Sequence, residues 1–387
     1  MEVRIGDSIE CNPTVKLVKG NEYPLIDIDK ISVGRKLVTN KDTIVYEKQS
    51  GCKFQNGDTL MARITPCLEN GKMAMASIPD KGIGSTELFV FRGKKGITDN
   101  DFVYYFLKQS YIRNLAANSM TGASGRQRAD LKFIKKIKFD LPSLPIQQKI
   151  ASILSAYDRL IENNTRRIRL LEQMAENLYK EWFVRFRFPE HENVEMVNGL
   201  PKGWNKKGLG NIADVCMGSS PKSEYYNDEK RGLPFHQGVG SFGERFVLDN
   251  TYSTCYSQIA EPMSILFSVR APVGRLNYTR NRIVIGRGVA AINHKEGMQS
   301  LLFYTLKAKF FKEDIIGNGA IFSSITKKEL LKLKLIVANK ELRVVFNNKI
   351  NKIDREIDIL YKQNQLLTRQ RDLLLPRLMS GKLEVKS

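Results

Sequence analysis

Two stretches of the chain carry apolar residues at alternating intervals of four and three. The first runs Ile150, Leu154, Tyr157, Ile161, Asn164, Ile168, Leu171, Ala175, Leu178, Trp182. The second runs Phe346, Ile350, Ile353, Ile357, Leu360, Asn364, Leu367, Arg371, Leu374, Leu378. Such spacing is a heptad seam, the pattern of a helix that packs along another helix. Moving the first set along the chain by 196 positions gives the second. The chain therefore reads as duplicated, with a partner for each helix inside itself. The first helix opens at Pro145 and continues to about Phe183, and the second ends near Met379. At 1.5 Å per residue, roughly 39 residues extend about 58 Å.

The two asparagines indicate the direction of pairing. In a parallel, in-register pair Asn164 would meet Leu360 and Asn364 would meet Ile168, leaving both amides against aliphatic side chains at a cost of a few kcal/mol each. In an antiparallel pair the fifth position of one seam meets the sixth of the other. Asn164 then faces Asn364, a polar pair of the kind that fixes register. The plainer alternative is that both are ordinary polar interruptions. The same alignment sets Arg371 over Tyr157, tolerable through snorkelling and a cation–π contact.

Outside the seams the pattern shortens. Residues 1 to about 143 read as short strands and turns, with turn signals at Asn12-Pro13, Asn56-Gly57-Asp58, Asn70-Gly71 and Pro79-Asp80 and a strand at Glu87–Phe91. A helix is predicted over Asp101–Asn114, opened by Thr98-Asp99-Asn100, and a short strand precedes Pro142. The second half repeats the order. Leu209–Ala213 echoes Ile5–Ile9, Ile265-Leu266 echoes Thr59-Leu60, and Ser300–Phe311 echoes the helix at Asp101–Asn114. Thr326-Lys327-Lys328-Glu329 is a capping box where Asp130 caps a turn in the first half, and Leu333–Val337 echoes the strand before Pro142. The two globular stretches share element order but little residue identity.

Charge changes the picture. Lys and Arg number 62 against 41 Asp and Glu, a formal net charge of +21. Such an excess favours a polyanionic partner, first of all nucleic acid. The start, Met1–Glu10, has no apolar leader-like run and no stretch approaches membrane-spanning length, so a cytoplasmic location is expected. Five cysteines without a CxxC pair are expected to be free thiols, and the three histidines lack metal-ligand spacing.

The chain reads as non-catalytic. An amino-methyltransferase needs an Asn/Asp-Pro-Pro-aromatic motif, and Asn12-Pro13-Thr14 fails it. Gly238–Gly243 has the glycines of a nucleotide loop without the strand and helix that such a loop joins. Thr121–Gly125 is not a nucleophile elbow, and no acid cluster marks a nuclease site near Pro79-Asp80.

Over essentially its whole length the chain resembles the specificity (S) subunit of a type I restriction–modification system. The resemblance rests on two variable globular segments alternating with two similar helices. It also rests on Leu141–Ile150 and Ile153–Asp158 at the first helix, and on Gly199–Trp204, Gly218–Lys222 and Gly232–Phe235 in the second half. The second helix entrance, Val337–Glu341, lacks the proline motif of the first. The resemblance implies an α+β, pseudo-twofold chain: two α/β target recognition domains separated by two long helices forming an antiparallel intramolecular coiled coil. The corresponding boundaries are recognition domain 1 over 1–143, spacer helix 1 over 144–188, linker and recognition domain 2 over 189–338, and spacer helix 2 over 339–387.

It further implies that each domain reads half of a split double-stranded DNA target. The helices set the spacing, two methyltransferase subunits dock, and motor-nuclease subunits join them. S-adenosylmethionine is then the methyltransferase's cofactor for adenine-N6 methylation, with none in this chain. The competing readings are a basic coiled-coil scaffold for RNA or another polyanion, and a single-chain DNA methyltransferase.

Phosphate contacts position a protein on DNA and base-edge contacts specify sequence. The candidates in the first half are Arg63, Thr65 and Lys72 beside a turn, with Arg126, Gln127 and Arg128, where Arg suits guanine and Gln adenine. In the second half they are Lys222, Tyr225, Tyr226, Arg270, Arg275 and Arg287. Taken singly, each is also readable as a solvated surface group.

Overall fold

A computed structural model describes residues 1–39, 42–310 and 324–385. They fall into two compact units, Met1–Arg166 together with the chain from Leu360, and Arg167–Ile359. In the first unit a five-stranded sheet runs in the order Ile9–Cys11, Leu88–Gly93, Thr59–Ala62, Met73–Ala76, Leu37–Val38. Its central strands alternate strictly. Phe89, Phe91, Met61, Met73 and Met75 enter one core with the helices, while Leu88, Val90, Leu60, Ala62, Ala74 and Ala76 enter another with Ile26 and Phe54. Period-2 strands buried on both faces read as continuous apolar runs, and these do. A second sheet orders Thr43–Val45, Glu22–Ile26, Lys81–Gly84, Cys52–Gln55, and Glu2–Arg4 pairs with Lys138–Asp140.

The second unit repeats the construction. One sheet orders Ala213–Met217, Val289–His294, Ile265–Ser268, Leu276–Tyr278. The other is built around Leu233–His236, which runs parallel to Ile283–Ile285, as Glu22–Ile26 runs parallel to Lys81–Gly84 in the first unit. Asn205–Gly208 pairs with Lys334–Val337 where Glu2–Arg4 pairs with Lys138–Asp140. The capping box forms: the Thr326 hydroxyl accepts from the Glu329 amide at 3.3 Å and the Glu329 carboxylate accepts from the Thr326 amide at 2.8 Å. Asp130 caps the matching turn by accepting from the Lys132 amide. Asp99 caps the first-half helix, which is two helices, Asn100–Lys108 and Ser110–Asn118, because the backbone leaves helical geometry at Gln109. Its echo is a single helix over Gln299–Phe310; Phe311 lies outside the described residues.

The long helices span Leu144–Tyr179, prolonged by a wider turn through Val184, and Lys340–Met379. Every seam position of both is buried or half-buried, whereas Leu160, Leu170, Met174, Leu366 and Leu373 off the seam are exposed. Pairing is antiparallel within each unit. In the first, Ile150 and Leu154 share a core with Leu375 and Leu378. In the second, Tyr179, Trp182 and Phe183 surround Phe346 with ring centroids 5.9, 5.6 and 4.8 Å away.

Two details of the seam differ from the sequence reading. No hydrogen bond joins Asn164 to Asn364. The Asn164 amide donates to Gln363 Oε1 at 3.4 Å, and the Asn364 amide donates to the Ile161 carbonyl and Thr165 Oγ1, both at 3.3 Å. The two share a level of the helix pair, but a carbonyl and a hydroxyl exposed by the facing turn are nearer acceptors. Arg371 does not lie over Tyr157. Its guanidinium donates to Asp158, one residue along, and to Asp372, because a buried cation gains more from carboxylates than from a ring edge.

Candidate nucleic-acid interface

Apart from Lys72, the first-half candidates gather on one edge of the first unit. The loop after Thr59–Ala62 lies against the loop at 121–129. The Thr65 amide donates to the Gln127 carbonyl at 3.0 Å, the Ala129 amide to the Arg63 carbonyl at 2.8 Å, and Ile64 and Arg128 form a bridge. Backbone pairing of two irregular segments satisfies groups that a free loop would leave to water. It places Arg63, Thr65, Gln127 and Arg128 side by side, with Arg126 exposed on the turn above.

Their side chains are not equally available. The Arg63 guanidinium sits 4.9 Å from the Phe89 ring centroid, with its Nε buried and unbonded. Arg128 grips Glu87 through both Nε and Nη2, at 2.9 and 2.6 Å, and this partner holds the Glu87 carboxyl below the usual carboxylate range. The Thr65 hydroxyl faces the Gln127 carbonyl at 3.4 Å, and Met120 Sδ lies equally near. Lys72 lies apart from this group, its ammonium donating to the Ile28 carbonyl at 3.0 Å. Beside Arg63 and Arg128 opens a cleft of about 580 Å³ that Asn12, Thr121, Lys132 and Lys135 also line. The sequence reading passed over those lysines. Their signal was the basic turn Leu131–Lys136, matched by Lys327–Lys332 in the second half.

In the second unit the candidates form two groups. The Arg287 amide donates to Ser220 Oγ at 3.1 Å, which brings Arg287 beside the loop of exposed Lys222 and Tyr225. Tyr226 is turned inward. Its hydroxyl donates to the Pro221 carbonyl at 2.8 Å and its ring stacks on Phe235 at 4.6 Å, so it orders this loop from beneath. Arg270 and Arg275 are exposed at either end of a loop held by Ser268, whose hydroxyl donates to the Pro272 carbonyl at 2.6 Å and accepts from the Arg275 amide at 2.8 Å. Gly274 turns this loop at φ +89°, and a Cβ there would stand 2.7 Å from the Phe310 ring. Arg270 bridges to Ser324 as Ile64 bridges to Arg128, so both halves build this edge in the same way. Gly238–Gly243 does follow a strand, Leu233–His236, but it holds only a short 3-10 turn, Val239–Ser241, and leads into no helix.

The arrangement offers guanidinium, ammonium and amide donors on exposed loops of a strongly basic chain. Among the described residues no cluster of His, Cys, Asp and Glu could hold a metal ion, and no helix is long and apolar enough to cross a membrane.

The family model for the type I restriction modification DNA specificity domain matches the chain twice, over residues 2–173 and 201–369. A putative type I restriction enzyme MjaX specificity subunit from Methanocaldococcus jannaschii is 29% identical over 375 residues, covering 94% of this chain and 88% of that protein. The type I restriction enzyme MjaVIII specificity subunit of the same organism is 25% identical over 417 residues, covering 100% and 93%. The crystal structure of a type I restriction-modification system S subunit from M. genitalium shares the fold, with a TM-score of 0.58 at 17% identity over 98% of this chain and 96% of that one.

Proposed function

The chain belongs to the type I restriction–modification DNA specificity family, and on that premise we propose how it works. It is the non-catalytic DNA-recognition subunit of a type I restriction–modification complex. Each globular domain reads one half of a two-part DNA target, and the long helices set the spacing and dock methyltransferase subunits. The observation that carries this is the double match of the family model to two units built on one plan. The net charge of +21 and the basic loop edges support duplex DNA as the ligand.

At the finer level, two methyltransferase subunits bind one copy of this chain and bring S-adenosylmethionine, and motor-nuclease subunits complete the restriction enzyme. Arg63, Arg126, Gln127 and Arg128 in one domain, and Lys222, Tyr225, Arg270, Arg275 and Arg287 in the other, contact the duplex. Thr65 and Tyr226 shape the loops that carry them. Lys72 acts through phosphate rather than base edges.

Co-expression with its methyltransferase partner in a host lacking other methylation, followed by sequencing of modified bases, tests this. The expected result is N6-methyladenine in a two-part motif with one fixed gap, absent when either protein is omitted. Methylation by this chain alone, or tighter binding to structured RNA than to duplex DNA, would refute it.

A further inference from the structure

Two carboxylates without a role so far stand 196 positions apart, the interval of the helical repeat: Asp158 on the first long helix and Asp354 on the second. Both are buried, at 6% and 7% exposure. Asp158 accepts from the Arg371 guanidinium, on the second long helix, and from the Tyr105 hydroxyl, on the globular helix Asn100–Lys108. One turn earlier Ser155 receives the Lys36 ammonium at 2.7 Å, and Lys36 also pairs with Asp101. Asp354 accepts from the Arg245 guanidinium at 2.6 Å, from the Ser300 hydroxyl at 2.5 Å and from the Tyr304 hydroxyl at 3.3 Å. Ser300 and Tyr304 lie on Gln299–Phe310, the counterpart of the helix that carries Tyr105. Arg245 also reaches Glu172 of the first long helix at 3.2 Å and stacks on Tyr278 and Phe303.

Each unit therefore has one carboxylate where three parts meet: the globular domain and both long helices. A tyrosine comes from the domain in both. The cation comes from a long helix in one unit and from the domain in the other, so the two junctions reach the same connection by different residues.

We propose that Asp158 and Asp354 are positioning residues for sequence recognition. Each fixes the orientation of its recognition domain on the helix pair, and so fixes where that domain's base-reading loops fall along the duplex. The inference rests on the reading of the chain as a specificity subunit. Apolar packing around the junctions is non-directional and tolerates a small rotation. A carboxylate gripped by donors from separate elements does not. A buried ion pair adds little net stability over apolar side chains of the same size, although removing one partner alone is costly. Its presence at both junctions fits a role in geometry. The leverage is large: a tilt of about 10° displaces a loop about 20 Å away by about 3.5 Å, roughly one base-pair step.

The test uses the full chain bound to its methyltransferase partner, assayed on duplexes with the native gap and with gaps one base pair shorter or longer. The double substitution D158L/R371M keeps the junction filled but removes its directionality. Its melting temperature is expected near wild type, while discrimination against the wrong gaps falls by about tenfold or more, the scale of one misplaced base contact. D354L/R245M should behave likewise. D158N keeps one accepting oxygen and should restore part of the discrimination; if D158L/R371M does not fold, D158N relaxing the gap supports the inference. A wild-type complex with a strict gap, beside a folded variant equally strict, overturns this inference alone. A wild-type complex that methylates no two-part site overturns the specificity-subunit reading and the inference with it.

Discussion

Lys108 shows what burial does to a single group. Its ammonium lies 5.5 Å from the Tyr104 ring, and it lines a cavity of about 510 Å³ with Arg113, Leu375 and Arg371. Burial first, and then repulsion from Arg371, lowers its pKa to about 8. The folded value lies below the unfolded one, so the unfolded chain binds more protons between about pH 8 and 10.5. Stability from this group therefore rises with pH through that window, and the full cost, on the order of 3 kcal/mol, is present at neutral pH. Cys11, raised by burial to about 11, acts oppositely above pH 9. K108M should melt several degrees higher than wild type at pH 7.5, with the difference shrinking by pH 9.5; an unchanging difference would contradict this. At this scale the sequence told least. Arg63, Gln127 and Tyr226 were visible as residue types, but nothing local says that Gln127 works through its carbonyl or that Tyr226 faces Phe235. Those facts depend on partners more than 60 and 9 positions away, respectively.

The long helices were legible because a seam is a local period, and every seam position is indeed inside. What the period could not supply was the third body. Arg371 was matched to Tyr157 by counting helix positions alone. Its true partner, Asp158, is also held by Tyr105 from outside the helix pair. Asp158 and Asp354 could have been found from the sequence, since they obey the same 196-residue shift as the seam, but a charged helix residue reads by default as solvated. The asparagine layer yields a prediction for the element. Asn364 leaves its Oδ1 buried and unbonded, while its amide makes two long contacts. N364L should raise the melting temperature by a few degrees, about 1 kcal/mol, with looser helix register seen as faster amide exchange near Ile161 and Thr165. Destabilisation of similar size would mean that the amide's two contacts outweigh its orphaned oxygen.

For the whole molecule, the duplication was readable from element order and the strand pairing was not. The parallel pairs Leu25–Ile83 and Phe235–Val284 join segments far apart in sequence, with no local signature. The helices as ruler make a quantitative claim. Seven residues inserted at matched positions of both long helices add about 10.5 Å, roughly three base pairs of duplex. The methylated motif should keep both half-sequences and lengthen its gap by about three. An unchanged gap in a folded, active insertion mutant would show that something other than helix length measures it.

The first unit is assembled from the two ends of the chain: Leu375 and Leu378 lie in the same core as Ile5, Phe89 and Leu154. During synthesis the ribosome delivers this unit's sheets first and its last helix some two hundred residues later, at about 5–20 residues per second. The uninterrupted second unit, Arg167–Ile359, is released in the meantime. The unit begun first is thus completed after the second, and a stop codon placed just before Leu360 would leave the first unit's core open while sparing the second unit.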